Sequence, residues 1–289
     1  WKNLTPDALL SNLEKNQELK AVLLNETPWV MEAKNETERK KRIALLFDLN
    51  RMAVEQQSAL AKLERIQSPN GGWSWFEGMP DNRYITQLIV TGIGKLQHLG
   101  VIELQREPEL INMIQRSFRY LDDRIREDYE KVLEYDKSKL NENHLGYTQI
   151  QYLYAYSFLK DFVKINPNNR DAFEYYKGQA GKYWLEQNKY MQGMIAVTLH
   201  RLEVPEIPGA IVSSLKENAL YSEELGMYLR EPEGYYWHEA PVERQAMMIE
   251  AFSEVTGDQE AVEEMKIWLL KQKQTQDWKT SRATADAVY

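Results

Sequence analysis

One recurring unit constrains this chain more than any other feature. It consists of an apolar helix, an exit through Gln or Lys-Gln, a Gly/Trp-rich loop, and a new helix after a short polar lead-in. The unit is clearest where Leu63-Glu64-Arg65-Ile66-Gln67 leads into Asn70-Gly71-Gly72-Trp73-Ser74-Trp75-Phe76-Glu77-Gly78 and a helix predicted from Tyr84 to Leu99. A weaker echo runs Glu233-Gly234-Tyr235-Tyr236-Trp237-His238-Glu239-Ala240-Pro241 into a helix through Gln245, Ile249 and Phe252. Another passes from Leu269-Leu270-Lys271-Gln272-Lys273 through Asp277-Trp278 into Thr284-Ala285. Trp237 and Trp278 are 41 positions apart, and Trp73 precedes Trp237 by 164, four times that interval. A period of about 40 residues is the length of two helices and their turns, which points to stacked helical hairpins.

A chain of 289 residues with 43% hydrophobic content can bury a large core. No run approaches the roughly 18 apolar residues of a membrane helix, and the first residues lack the charged-then-apolar pattern of a secretory leader. The opening at Trp1, and a last stretch, Thr280 to Tyr289, that reads as a helix just begun, lead to the expectation of a piece of a longer protein. The formal charge of -8 argues against tracking nucleic-acid phosphates, which takes a basic stripe. Arg39-Lys40-Lys41-Arg42 is offset by Glu36 and Glu38 and reads as a solvated helix face. Zero cysteines excludes disulfides, Cys-zinc sites, thiol nucleophiles and any thioester made from these residues alone.

Helical periodicity dominates. Thr5-Pro6-Asp7 is a start signal, Glu36 to Gln67 reads as one or two long helices, and Gly92 and Gly94 are expected to admit a neighbouring helix closely. Glu107 to about Tyr135 reads as a highly charged helix and is expected to lie outside or protrude. Gly146 to Phe162 carries aromatics all round, as expected of a helix between two layers. Leu215 to Leu220 continues a helix, and a short strand or hairpin is expected near 224–237. The fold class expected is all-α: a single domain over 1–289, built as an α/α toroid of antiparallel helical hairpins.

Trp73, Trp75, Trp237 and Trp278 are expected to pack the loops at hairpin ends; the alternative is an aromatic platform for a sugar or peptide. His238 and Glu239 neighbour Trp237 in the same loop and join the four tryptophans as candidate interaction residues. His98, His144, His200 and His238 lie in no metal-ligand frame, so no metal and no cofactor is expected. Asp122-Asp123-Arg124-Ile125-Arg126-Glu127 superficially matches a diphosphate-binding aspartate box, but its arginines favour an exposed, salt-bridged helix. Glu77, Asp81 and Glu239 could supply the paired carboxylates of a glycoside hydrolase, the alternative functional class.

The stretch Gln67-Ser68-Pro69-Asn70-Gly71-Gly72-Trp73-Ser74-Trp75-Phe76, followed by Tyr84-Ile85-Thr86-Gln87-Leu88, resembles a loop and helix of the thioester-domain region in bacterial α2-macroglobulin-like proteins. Thr27-Pro28-Trp29-Val30 with Lys41-Arg42-Ile43-Ala44-Leu45-Leu46 is similar to the Bacteroidetes-type branch, and Trp278-Lys279-Thr280-Ser281-Arg282-Ala283-Thr284-Ala285-Asp286-Ala287 to a segment near that domain's end. The resemblance implies an exported protease trap, periplasmic or at the cell surface, whose partners are target proteases and neighbouring domains of the same polypeptide. In that family a Cys–Gln thioester can couple the trapped protease. Its Gly-Cys-x-Glu-Gln motif does not occur here, so the resemblance implies a noncatalytic domain.

Overall fold

The computed structural model describes residues 49–135, 137–230, 241–276, 278 and 280–289. Those residues are mostly helical, with one two-stranded sheet. The chain divides into two compact units, Trp1–Arg65 with Lys273–Asp277, and Ile66–Gln272 with Trp278–Tyr289. In the first, helix α1 (Leu49–Ile66) supplies nearly all of the described structure, joined by the helical residues Lys273–Gln276.

The second unit holds α2 (Arg83–His98), α3 (Pro108–Tyr135), α4 (Tyr147–Leu159), α5 (Arg170–Tyr183), α6 (Lys189–Arg201) and α7 (Ile207–Glu217). The hairpin β1 (Leu220–Ser222) and β2 (Gly226–Tyr228) follows. Then come α8 (Pro241–Ala251), a π-helical turn at Phe252–Thr256, most of α9 (Gln259–Gln276), and α10 (Ser281–Val288). Polar caps set the starts of α2, α6 and α10. Asn82 Oδ1 accepts from the Ile85 amide (3.1 Å), Asn188 Oδ1 from Met191 (2.9 Å) and Thr280 Oγ1 from Ala283 (3.0 Å). Each bond satisfies a donor that the first turn would otherwise leave without a partner.

Two layers result. Helices α2, α4, α6, α8 and α10 pack side by side in that order, while α3, α5 and α7 each cover a neighbouring pair or single member of the row. Helix α4 touches α2, α6, α3 and α5, so nearly every position from Ile150 to Leu159 is buried, in keeping with its all-round aromatics. Its Phe158 lies against Gly94 of α2, where a β-carbon would come within 2.6 Å of the Phe158 Cβ, so glycine is needed for that approach. Gly92 faces open space instead, and only one of the two glycines serves the contact.

Three expectations change. Helix α3 is not merely an exposed charged rod: Leu110, Met113, Ile114, Phe118, Leu121 and Ile125 bury one face, because apolar residues recur every three or four positions beneath the charges. Residues 218–222 leave the helix and pair as β1, with Tyr221 opposite Met227. The hairpin thus begins earlier than expected, at 220 rather than 224.

Candidate functional site

The glycine-tryptophan loop is organised around two residues. Gly71 has φ +96°, and a β-carbon there would lie 2.1 Å from the Arg116 carbonyl oxygen, so glycine alone fits. Gln67 braces the turn by donating through Nε2 to the carbonyls of Gly71 and Met113 (3.0 Å each) and to Ser117 Oγ (2.9 Å). Trp73 is fully buried, its amide donates to Thr86 Oγ1 (2.9 Å), and its carbonyl accepts from the Asn82 amide (2.8 Å). Two residues on, Trp75 is 55% exposed, with its indole against the Tyr84 ring at 5.9 Å between centroids. Phe76 and Met79 are exposed beside it in sequence.

The other sequence-predicted residues do not converge here. Trp278 is half-buried ahead of α10. Trp237, His238 and Glu239 lie outside the described residues. Of the three carboxylates considered for glycoside chemistry, Glu77 is exposed, Glu239 falls with His238, and Asp81 accepts hydrogen bonds from Ser68 and Asn70 inside the loop. His98 ends α2, His144 Nδ1 pairs with the Tyr175 hydroxyl (2.8 Å), and His200 is exposed at the end of α6. Among the described residues no group of His, Cys, Asp or Glu could hold a metal ion, and no helix is long and apolar enough to cross a membrane.

In the aspartate run, Arg124–Glu127 (2.5 Å) and Arg126–Asp123 (3.3 Å) form the expected pairs along α3. Asp122 differs. It is 3% exposed and accepts a 2.6 Å hydrogen bond from the Tyr152 hydroxyl, so the residue faces the core rather than a ligand. Burial pushes its carboxyl up to about 6, against the lowering effect of bonds from Tyr152 and the Asn166 backbone.

The larger assembly of chemistry-bearing side chains lies where the helices of the row meet, and sequence reasoning passed over it. Positions four and three apart on α4, Tyr147, Gln151, Tyr154 and Phe158, form one stripe. Comparable stripes are Thr91, Lys95 and His98 on α2, Tyr190 to Arg201 on α6, and Arg282, Asp286 and Tyr289 at α10. The Tyr154 hydroxyl donates to both Glu250 oxygens (2.7 and 2.6 Å), and Arg201 Nη2 donates to Glu250 (2.8 Å) while its Nε reaches Glu254 (2.9 Å). The Arg201 guanidinium stands 3.8 Å over the Phe158 ring centre. Asp286 takes Lys95 (3.0 Å) and Arg282 (2.6 Å), and Lys95 also lies 4.2 Å over the Tyr289 ring. A cavity of about 190 Å³ opens between these groups, with His98, Glu250, Glu254, Asp286 and Tyr289 on its polar side.

Protonation follows from that packing. Burial, then the Glu250 charge, hold the Tyr154 hydroxyl far above the ordinary tyrosine range. Burial works against the charge of Arg201, but its bonds to Glu254 and the Glu250 charge outweigh it, and the guanidinium stays ionised. Burial also raises the Glu243 carboxyl, two turns before Glu250 on α8. The two carboxylates nearest the centre, Glu250 and Asp286, are thus each engaged by a cation within 3 Å.

A signal for this centre is visible in retrospect. Three of the five helices of the row, α2, α4 and α6, open on matching tyrosines: Asn82-Arg83-Tyr84, Gly146-Tyr147 and Asn188-Lys189-Tyr190. Tyr84 and Tyr147 have ring centres 6.4 Å apart. No model of a known protein family matches the chain, and no curated protein does.

Proposed function

We propose that the chain is a noncatalytic, thioester-domain-like part of a bacterial α2-macroglobulin-like endopeptidase inhibitor, and that its helical row and outer layer belong to an α/α toroid. The observation that carries this reading is the ion-paired centre where the helices of the row meet. Alternate helices turn Tyr154, Arg201, Glu250, Asp286 and Lys95 toward one another, and the carboxylates are neutralised in place. A scaffold that must hold its shape while neighbouring domains move needs helices cross-linked in this way, whereas a hydrolase of this architecture needs two carboxylates set to act on a bound sugar. The loop motif Gly71-Gly72-Trp73 and the segment from Trp278 supply the likeness to that family. On this reading the protein is exported and acts in the periplasm or at the cell surface, with target proteases and adjoining domains as partners.

A carbohydrate-active hydrolase is the second reading, and the exposed Trp75 face beside Tyr84 favours it. One experiment addresses both. The protein, and a longer version carrying residues upstream of Trp1, are incubated with an active protease and run on a denaturing gel, and the protein is assayed in parallel on soluble glycans. No adduct and no sugar release are expected from these 289 residues. An adduct formed by the longer version alone would place the reactive group before Trp1, and one formed by this chain, or reducing sugar released above background, would overturn the noncatalytic reading.

A further inference from the structure

We draw no further inference here: the strongest candidate, the exposed apolar tip of the glycine loop at Trp75, Phe76 and Met79, is an unpartnered surface, and nothing in the structure shows what covers it.

Discussion

The root of the glycine-tryptophan loop and the centre around Glu250 are both buried, yet they are held by opposite means. At the loop, Trp73 fills space, and its backbone bonds go to Asn82 and Thr86, within 13 positions in the chain. At the centre, Lys95 meets Asp286 across 191 positions and Tyr154 meets Glu250 across 96, and the groups brought together are charged or polar. The difference bears on tolerance. A truncated indole chiefly leaves a cavity, whereas removing one member of an ion cluster leaves charged groups short of a buried partner.

The largest expected effects test that contrast directly. Trp73→Ala should cost about 3–5 kcal/mol, as lost transfer energy plus a cavity, in urea denaturation. Glu250→Ala should approach that, at about 3 kcal/mol, because Arg201, with a side chain 9% exposed, keeps only Glu254 and the buried Tyr154 hydroxyl loses its acceptor. The two losses should then respond differently to compensation. Replacing the three most buried members, Tyr154→Phe with Arg201→Met and Glu250→Leu, should recover most of the Glu250→Ala loss, since an apolar set of similar volume carries no desolvation cost and the remaining Glu254 side chain, 20% exposed, still reaches water. If the triple variant is as unstable as the sum of its single changes, the centre is not the ionic counterpart of the loop and the comparison fails.

Next in size is Gly71→Ala. The positive φ and the 2.1 Å approach to the Arg116 carbonyl together predict a loss of about 2–4 kcal/mol, from backbone strain and forced displacement of α3. Ala at Gly92, where nothing lies within 4 Å, should instead be neutral or slightly stabilising by helix propensity. Equal losses at both positions would show that helix α2 and its loop respond as one unit rather than at the contact itself.

What the sequence disclosed follows the same division between local and distant. The loop was legible because glycine and tryptophan act within a few residues: the turn, the buried ring and the following Asn82 cap are all local. The burial of α4 was legible because Tyr147, Tyr152, Tyr154, Tyr156 and Phe158 leave no polar face of useful width. Lys95, Arg201, Glu250 and Asp286 gave no such sign. In a chain with 44 acidic and 36 basic residues, four charges on four helices read as surface, and only the folded arrangement sets them against one another. Asp122 was hidden by its neighbours, since Asp123, Arg124 and Arg126 do make the surface pairs that the whole run suggested. Strand β1 was missed because its three residues continue an apolar helix pattern and gain their strand character only by pairing with Gly226–Tyr228.

Asp122 yields a smaller, pH-dependent test. Its carboxyl is raised in the folded protein to about 6 from the ordinary 3.8, so between those values the native state holds a proton that the unfolded chain has released. Stability therefore falls as pH rises through that window and levels off above it. Asp122→Asn keeps an oxygen for the Tyr152 hydroxyl but cannot ionise. Between pH 4 and 7.5 the unfolding free energy of the variant relative to the unaltered protein should shift in its favour by about 1–3 kcal/mol. Parallel pH profiles would mean that Tyr152 and the Asn166 amide stabilise the carboxylate enough to cancel its burial.

The smallest expected effect is the one that sharpens the comparison most, because it concerns a residue two positions from the largest. Trp75 keeps more than half of its surface in water, and its contact with Tyr84 is a single ring pair at 5.9 Å. An aromatic pair of this kind is worth about 0.5–1.5 kcal/mol, and Trp75→Ala leaves no closed cavity to add to it, so the loss should be about 1 kcal/mol or less. Trp75→Phe should recover most of it by restoring a ring against Tyr84. A loss of 3 kcal/mol or more would mean that the exposed indole is part of the loop's structural root, and the division between a buried Trp73 and a solvent-facing Trp75 would have to be withdrawn. A small loss accompanied by retained binding of soluble glycans or peptides, where any is found, would remove Trp75 from the ring face that holds them. A small loss with binding abolished would instead give this one tryptophan a recognition role, which the fold does not otherwise require of it.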